Sequence, residues 1–243
     1  MNRSRSDIKT DDPKIIVALD CESKSAVDAL VKQLDPNLCR LKVGNILFTC
    51  YGPPLVENLM HKGFSIFLDL KFHDIPQTVA GACKIAANLG VWMINVHVQG
   101  GREMLYAAVE AIDQSMVPIK PLLIGVSVLT SLDNNDLKTI GLQHDLTKTV
   151  LQFASLAKQT GLNGVVCSAQ EALKLRAQFS DNFLLVTPGI RLTSSIRDDQ
   201  KRVMTPQQAI KAGADYLVIG RAITQAKEPI KVLRDIQNKI DFV

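Results

Sequence analysis

Short runs rich in Val, Ile and Leu alternate along the chain with longer stretches in which apolar residues recur every three or four positions. The runs lie at Ile15–Asp20, Arg40–Gly44, Ser65–Lys71, Trp92–Val98, Pro121–Leu129, Gly164–Ser168, Leu184–Gly189 and Tyr216–Gly220. Within the third, Ile66-Phe67-Leu68 is apolar in succession, the pattern of a buried strand of a parallel sheet. Helical periodicity fills the intervals at Ser23–Leu34, Pro54–Lys62, Thr78–Leu89, Arg102–Ser115, Leu146–Thr160, Ala169–Phe179, Pro206–Ala212 and Glu228–Lys239. Ser23 can cap the first of these, and Thr205-Pro206 sets a capping residue before a proline at the first helical position. Gly63, Gly90, Gly161 and Gly213 stand where helices should end in a left-handed residue.

Eight strand–helix units with no linker rich in Pro, Gly or Ser predict an α/β fold, a single closed (β/α)8 TIM barrel over residues 14–243 behind a flexible tail over residues 1–13. An open doubly wound sheet is the rival, but it opens with a glycine-rich turn after its first strand. Here that strand ends Ala18-Leu19-Asp20-Cys21-Glu22, without glycine.

Composition narrows the function classes. The chain has 243 residues, 47% hydrophobic and 21% charged, with a net charge of +4, which suits one sizeable core and is compatible with an anionic small substrate. No basic stripe is present and aromatics make up only 5%, so nucleic acid is not an expected partner. The five cysteines are odd in number and widely spaced, as expected of reduced thiols in a cytoplasmic protein. The polar start carries no secretory pattern, and no apolar run reaches membrane-spanning length, so no membrane partner is expected.

In a barrel the chemistry gathers where the strands end. The third run closes as Asp69-Leu70-Lys71-Phe72-His73-Asp74-Ile75-Pro76. Residues two apart on a strand share a face, so Asp69 and Lys71 should project together, with Asp74 just beyond. A strand-end ion pair with one solvated aspartate would also fit this string. Asp20 and Lys42, however, end the neighbouring first and second strands, and together the four alternating charges predict a network that keeps lysines and carboxylates ionised. Further polar residues at strand ends are Asn95 with His97, Ser127 with Thr130, Thr187 to Arg191, and Gly220 with Arg221.

The last two groups are suited to phosphate. Thr187-Pro188-Gly189-Ile190-Arg191 and Gly220-Arg221 close the seventh and eighth strands, whose loops commonly bind phosphate in barrels. Arg221 adds a forked, permanently charged donor. The polar segment from Arg191 to Met204 is longer than a connection needs and is expected to be a lid. His73 and His97 lie near the acidic cluster, but no HxH or HExxH spacing occurs and lysine already supplies a cation, so no metal is expected.

The assembled strings, Ala18-Leu19-Asp20, Leu41-Lys42-Val43-Gly44, Asp69 to Pro76, Asn95-Val96-His97, Val128-Leu129-Thr130-Ser131, Thr187 to Arg191, Asp199-Gln200 and Gly220-Arg221, make the chain resemble the bacterial orotidine 5'-monophosphate decarboxylases. The resemblance covers almost everything after the tail. It departs at Gln77, where Asn is common, and at Val98-Gln99, where small residues are usual. It implies decarboxylation of orotidine 5'-phosphate to UMP and CO2 in pyrimidine biosynthesis, without cofactor or metal, by a homodimer. Lys71 would protonate C6 of the pyrimidine, with Asp69 near the departing carboxylate. Asp74, with Ile75 and Thr78, would reach the partner's site. Asp20 and Lys42 would hold the ribose and complete the charge network, Ser127 and Thr130 would meet the base or its surroundings, and Gln200, Gly220 and Arg221 would bind the phosphate, with Arg191 at the lid.

Two other readings are open at this point. A metal-dependent sugar-phosphate decarboxylase or aldolase of the same superfamily shares the Asp-x-Lys-x-x-Asp string. A non-catalytic barrel that binds a phosphate ligand would retain Gly220-Arg221 but would have no use for Lys71 among carboxylates.

Overall fold

The computed structural model describes residues 12–241 except 22, 181 and 193–203. Eight parallel strands close a barrel in chain order: β1 (Ile15–Ala18), β2 (Cys39–Gly44), β3 (Ile66–Phe72), β4 (Met93–His97), β5 (Leu122–Val126), β6 (Gly164–Val166), β7 (Leu184–Thr187) and β8 (Tyr216–Ile219). Closure is made by β8 pairing with β1, Ile15 opposite Leu217. The continuous apolar runs follow from this: one face of each strand fills the barrel and the other packs under helices. Ile16, Ala18, Phe67, Met93, Ile124, Val186, Tyr216 and Val218 form the inner cluster. Ile15, Val17, Leu41, Val43, Ile66 and Leu68 join the larger outer core, where helices bring Val27, Leu55, Leu59 and Val79. Each such fully buried side chain contributes about 1.5–3 kcal/mol of transfer free energy.

The helices are α1 (Lys24–Val31), α2 (Asn45–His61), α3 (Pro76–Asn88), α4 (Arg102–Asp113), α5 (Asn134–Thr139), α6 (Leu146–Gln159), α7 (Ala169–Gln178), α8 (Pro206–Lys211), α9 (Arg221–Thr224) and α10 (Pro229–Asp241). The expected caps form: the Ser23 hydroxyl accepts from the Ala26 N–H, and Thr205 and Gln208 make a reciprocal capping box. All four expected helix-ending glycines have positive φ. Three differences stand out. Helix α2 is two helical segments meeting at Gly52, whose φ 57° and ψ −158° are not helical; the second starts beside the expected Pro54, and the first, from Asn45, was not expected. The Gly-Pro-Pro string ends one segment and opens the next. Helix α5, nucleated by the Asp133 capping box, was not expected, and neither was the one-turn α9.

The bottom of the barrel is closed by side chains. Arg40 points inward from β2, and its guanidinium carbon lies 4.0 Å from the Trp92 ring centre and 5.3 Å from that of Tyr216. It pairs with Asp12 at 2.6 Å and donates to the Pro13 carbonyl, while the Tyr216 hydroxyl donates to Asp12 at 3.1 Å. Asp12 and Pro13, the last residues of the expected tail, are thus held against the barrel.

Candidate active site

At the other end of the barrel a cavity of about 830 Å3 opens over the strand ends, the size of a small-molecule site. One wall is charged and built from adjacent strands. Lys42, at the end of β2, lies 3.1 Å from Asp69 Oδ2 on β3 and 3.8 Å from Asp20 Oδ1 just past β1. Lys71 lies 2.7 Å from Asp69 Oδ1. The order Asp20–Lys42–Asp69–Lys71 is the alternating network expected from the strand ends. Gly44 makes room for it, since a Cβ there would stand 3.3 Å from Lys42 Nζ.

Asp69 is buried. Burial pushes its carboxyl up, but Lys42, Lys71 and the hydrogen bonds from Lys71 and Asn95 outweigh this and hold it below the usual carboxylate range. It therefore carries its charge at neutral pH. Its neighbour His97 is displaced the other way. Burial holds the imidazole below its ordinary value, aided by His73 and Lys71 against the opposing pull of Asp69. The His73 and His97 rings lie 5.4 Å apart, and among the described residues no group of three or more His, Cys, Asp or Glu is gathered to hold a metal.

Strand alternation accounts for the Asp69–Lys71 pair only in part. Between the pairs Leu68–Ile94 and Phe72–Val96, β3 carries three residues opposite the single Asn95 of β4. Within this bulge Lys71 adopts φ 53°, the only left-handed non-glycine residue among those described.

The opposite wall is apolar, with Val126, Val128 and Leu129 after β5 and Val166 on β6. Val128 and Leu129 belong to a string that carries the resemblance, but none of the four was assigned a role, because buried valines on strands, such as Val126 and Val166, look like ordinary core. The far end is formed by Gly189, Ile190 and Arg191 after β7 and by Gly220, Arg221 and Gln225 after β8. Gln225 was also missed. The two ends of the expected lid lie side by side, the Arg191 N–H donating to the Met204 carbonyl at 2.9 Å. Gln200 and most of that segment lie outside the described residues.

Of the residues expected at the site, Asp20, Lys42, Asp69, Lys71, Thr130, Arg191, Gly220 and Arg221 line this one cavity. Ser127 does not; it is buried and its hydroxyl donates to the Val166 carbonyl at 2.7 Å. Thr187 is likewise internal, donating to the Tyr216 carbonyl. Asp74, Ile75 and Thr78 are exposed and do not line the cavity of their own chain. The Asp74 carboxylate accepts from the Ile75 N–H at 2.6 Å.

The arrangement fits an elongated anionic ligand: phosphate at the β7–β8 end, an apolar slot for a planar group, and an ammonium–carboxylate pair at the reacting end. Comparison with known proteins agrees. Residues 13–236 match the family described as "Orotidine 5'-phosphate decarboxylase / HUMPS family". A protein of Coxiella burnetii named orotidine 5'-phosphate decarboxylase is 59% identical over 229 residues, covering 94% of this chain and 97% of that one. One of the same name from Saccharophagus degradans is 53% identical, covering 93% of this chain and 94% of that one. The crystal structure of orotidine 5'-phosphate decarboxylase from Lactobacillus acidophilus superposes with a TM-score of 0.85 at 34% identity, covering 95% of this chain and all of that one.

Proposed function

The chain belongs to the orotidine 5'-phosphate decarboxylase / HUMPS family, and we propose from that premise how its residues carry out the decarboxylation of orotidine 5'-phosphate to UMP and CO2. The observation that carries the reading is the Lys71 ammonium, held 2.7 Å from a buried, ionised Asp69 inside a cavity with a phosphate-suited end.

Breaking the bond between C6 and its carboxylate leaves an electron pair at C6 that the ring does not delocalise. Lys71 stands where this charge develops. Its ammonium stabilises the charge without reorganising, then transfers a proton to C6, and solvent reprotonates the amine. The step needs no electron sink beyond this fixed cation, so neither metal nor cofactor enters it. Asp69 faces the departing carboxylate, and Lys42 between Asp69 and Asp20 keeps the array neutral while meeting the ribose with Asp20. Thr130 and the valine wall hold the base; Ser127, turned into the barrel wall, supports β5 next to it. Arg221, Gly220 and Arg191 take the phosphate. Its binding energy, realised far from C6, offsets the cost of forcing the substrate carboxylate toward Asp69.

The enzyme works as a homodimer in the cytoplasm. Asp74 has no ion pair among the described residues, and it sits beside Ile75, 67% exposed, on the same rim as Ile46, 70% exposed. A second copy covering this rim buries both isoleucines and lends Asp74 and Thr78 to its partner's site. Five free cysteines fit a reducing compartment, and no helix among the described residues is long and apolar enough to cross a membrane.

The test is the loss of orotidine 5'-phosphate absorbance on conversion to UMP, with and without chelator. Conversion unaffected by chelator is expected. No conversion, or conversion abolished by chelator, refutes the reading.

A further inference from the structure

Asn95 lies on β4 inside the apolar run Met93–His97 and is completely buried. It does not line the cavity. Its side-chain amide nevertheless holds the two residues on which the proposed chemistry turns. Nδ2 donates to Asp69 Oδ1 at 2.7 Å, and Oδ1 accepts the Lys71 backbone N–H at 2.8 Å. The partners fix the direction of the amide, because an ionised carboxylate only accepts and a backbone N–H only donates. A buried strand amide needs a reason to be there, and both ends of this one are satisfied.

The same contact explains the bulge. Three residues of β3 stand opposite Asn95 alone, so the backbone at Lys71 leaves the regular ladder and its N–H loses a carbonyl partner there. The Asn95 oxygen supplies the replacement. It thereby stabilises a left-handed lysine, a conformation that costs free energy and persists only when the surroundings impose it. On its other side, Asp69 Oδ1 receives both Lys71 Nζ and Asn95 Nδ2, each at 2.7 Å. Asn95 adds a donor without adding charge, and so orients the carboxylate and leaves the balance of the four-charge array unchanged.

We propose that Asn95 is a positioning residue for the decarboxylation, clamping the backbone of Lys71 and the carboxylate of Asp69 into one geometry from behind the cavity. The inference rests on the decarboxylase reading. A wild-type protein that does not convert orotidine 5'-phosphate sinks that reading, whereas Asn95 is judged only by variants compared with active wild type.

Two variants are compared. Asn95→Ala removes both bonds, and kcat is expected to fall about 100-fold, the scale of a misplaced reacting group, with KM changed by less than about threefold. Affinity for UMP should stay near wild type, while affinity for a UMP analogue bearing a negative charge at C6 falls in step with kcat. Asn95→Asp keeps the acceptor for the Lys71 N–H but replaces the donor to Asp69 by a carboxyl. The charged groups around it are Asp69 and Lys71 from β3, Lys42 from β2 and His97 on β4 itself; β5 (Leu122–Val126) brings none, and Asp20 reaches the cluster through Lys42. Two carboxyls this close cannot both ionise freely, so the pair holds a proton to a higher pH than either would alone. Below that pH the introduced O–H donates to Asp69 as the amide does, and activity approaches wild type. Above it the two charges repel and activity falls.

Asn95→Asp activity declining with rising pH relative to wild type, together with the selective loss of C6-anion affinity in Asn95→Ala, is the expected result. Equal losses of UMP and C6-anion affinity, a wild-type pH profile in Asn95→Asp, or failure of both variants to fold at every pH would each reduce Asn95 to a support of the fold and overturn the proposal.

Discussion

Replacing Lys42 by methionine isolates the electrostatic work done at the mouth of the barrel. Methionine retains most of the apolar stem, so the change removes mainly an ammonium. Asp69 and Lys42 are nearly out of solvent, with side-chain exposures of 10% and 12%, and their 3.1 Å pair is the main counterweight to the burial of Asp69. Removing one member of a buried pair costs about 3–5 kcal/mol; because Lys71 remains 2.7 Å from the carboxylate, the lower figure of about 3 kcal/mol applies. For a chain of this size that is a fall of roughly 6–12 °C in Tm. The pH dependence supplies the signature. In wild type the folded pKa of Asp69 lies below its unfolded value of about 3.9, so its contribution to stability is fully present above that pH and is lost only as pH falls through the folded value. In Lys42→Met, burial prevails and the folded pKa rises. The charged carboxylate then penalises folding at neutral pH, and protonation relieves the penalty on acidification. Urea unfolding at about pH 7.5 and about pH 4.5 should show the gap between the proteins shrinking toward the lower pH. A gap below about 1 kcal/mol, the level of an exposed pair, or one of equal size at both values, would refute the assignment of Lys42 as the charge that keeps Asp69 ionised.

The remaining predictions follow from the proposed roles. Lys71→Ala should fold, bind UMP and lose at least about 1,000-fold in turnover, within the range for a lost general acid; mixed with inactive Asp74→Ala under conditions of subunit exchange, it should regain part of the activity, and confirmed exchange without recovery would exclude shared sites. Arg221→Ala should lose about 1.5–3 kcal/mol per charged hydrogen bond to phosphate, read as kcat/KM for orotidine 5'-phosphate, with little effect on orotidine; equal proportional losses on both substrates would mean that Arg221 does not grip phosphate. Asp12→Ala strips the partner from buried Arg40 at the far end of the barrel, so it should cost about 3 kcal/mol in urea unfolding while leaving kcat unchanged, and an unaltered unfolding midpoint would show that the Asp12–Arg40 pair does not hold the barrel bottom together.

How far the sequence carries depends on whether a residue's neighbours are set by topology or by local irregularity. Lys42 and Asp69 were legible because charge in a buried strand is costly, and Asp20 because it follows the end of the strand beside them; consecutive parallel strands place such residues side by side. Their partners followed from strand order alone. Ser127 and Thr130 were not separable in the same way. Strand β5 stops at Val126, and the turn beyond it sends Thr130 to the cavity and Ser127 into the wall, a choice of backbone path that leaves no periodic trace. The role of Asn95 was hidden for a related reason. It depends on a bulge in a neighbouring strand, and a neutral amide does not announce itself as a charge does. The Gly52-Pro53-Pro54 string is legible as a break with a helix after it, but the segment from Asn45 that runs into it from the other side was not foreseen.

Strand β2 shows why register matters more here than the count of polar residues. Arg40 lies opposite Ile16 and Lys42 opposite Ala18, and all four point into the barrel. One parity therefore supplies both the cation that closes the bottom, stacked on Trp92, and the cation that faces Asp69 at the top. Leu41 and Val43 take the other parity and are completely buried under the helices. A slip of one residue would turn two cations into the apolar shell and bring Leu41 or Val43 to the place beside Asp69, parting Arg40 from Asp12 and Lys42 from Asp69 at once. The cost of burying such charges makes the observed register the only one that this strand can hold, and the same constraint that aligns the barrel also places Lys42 at the site.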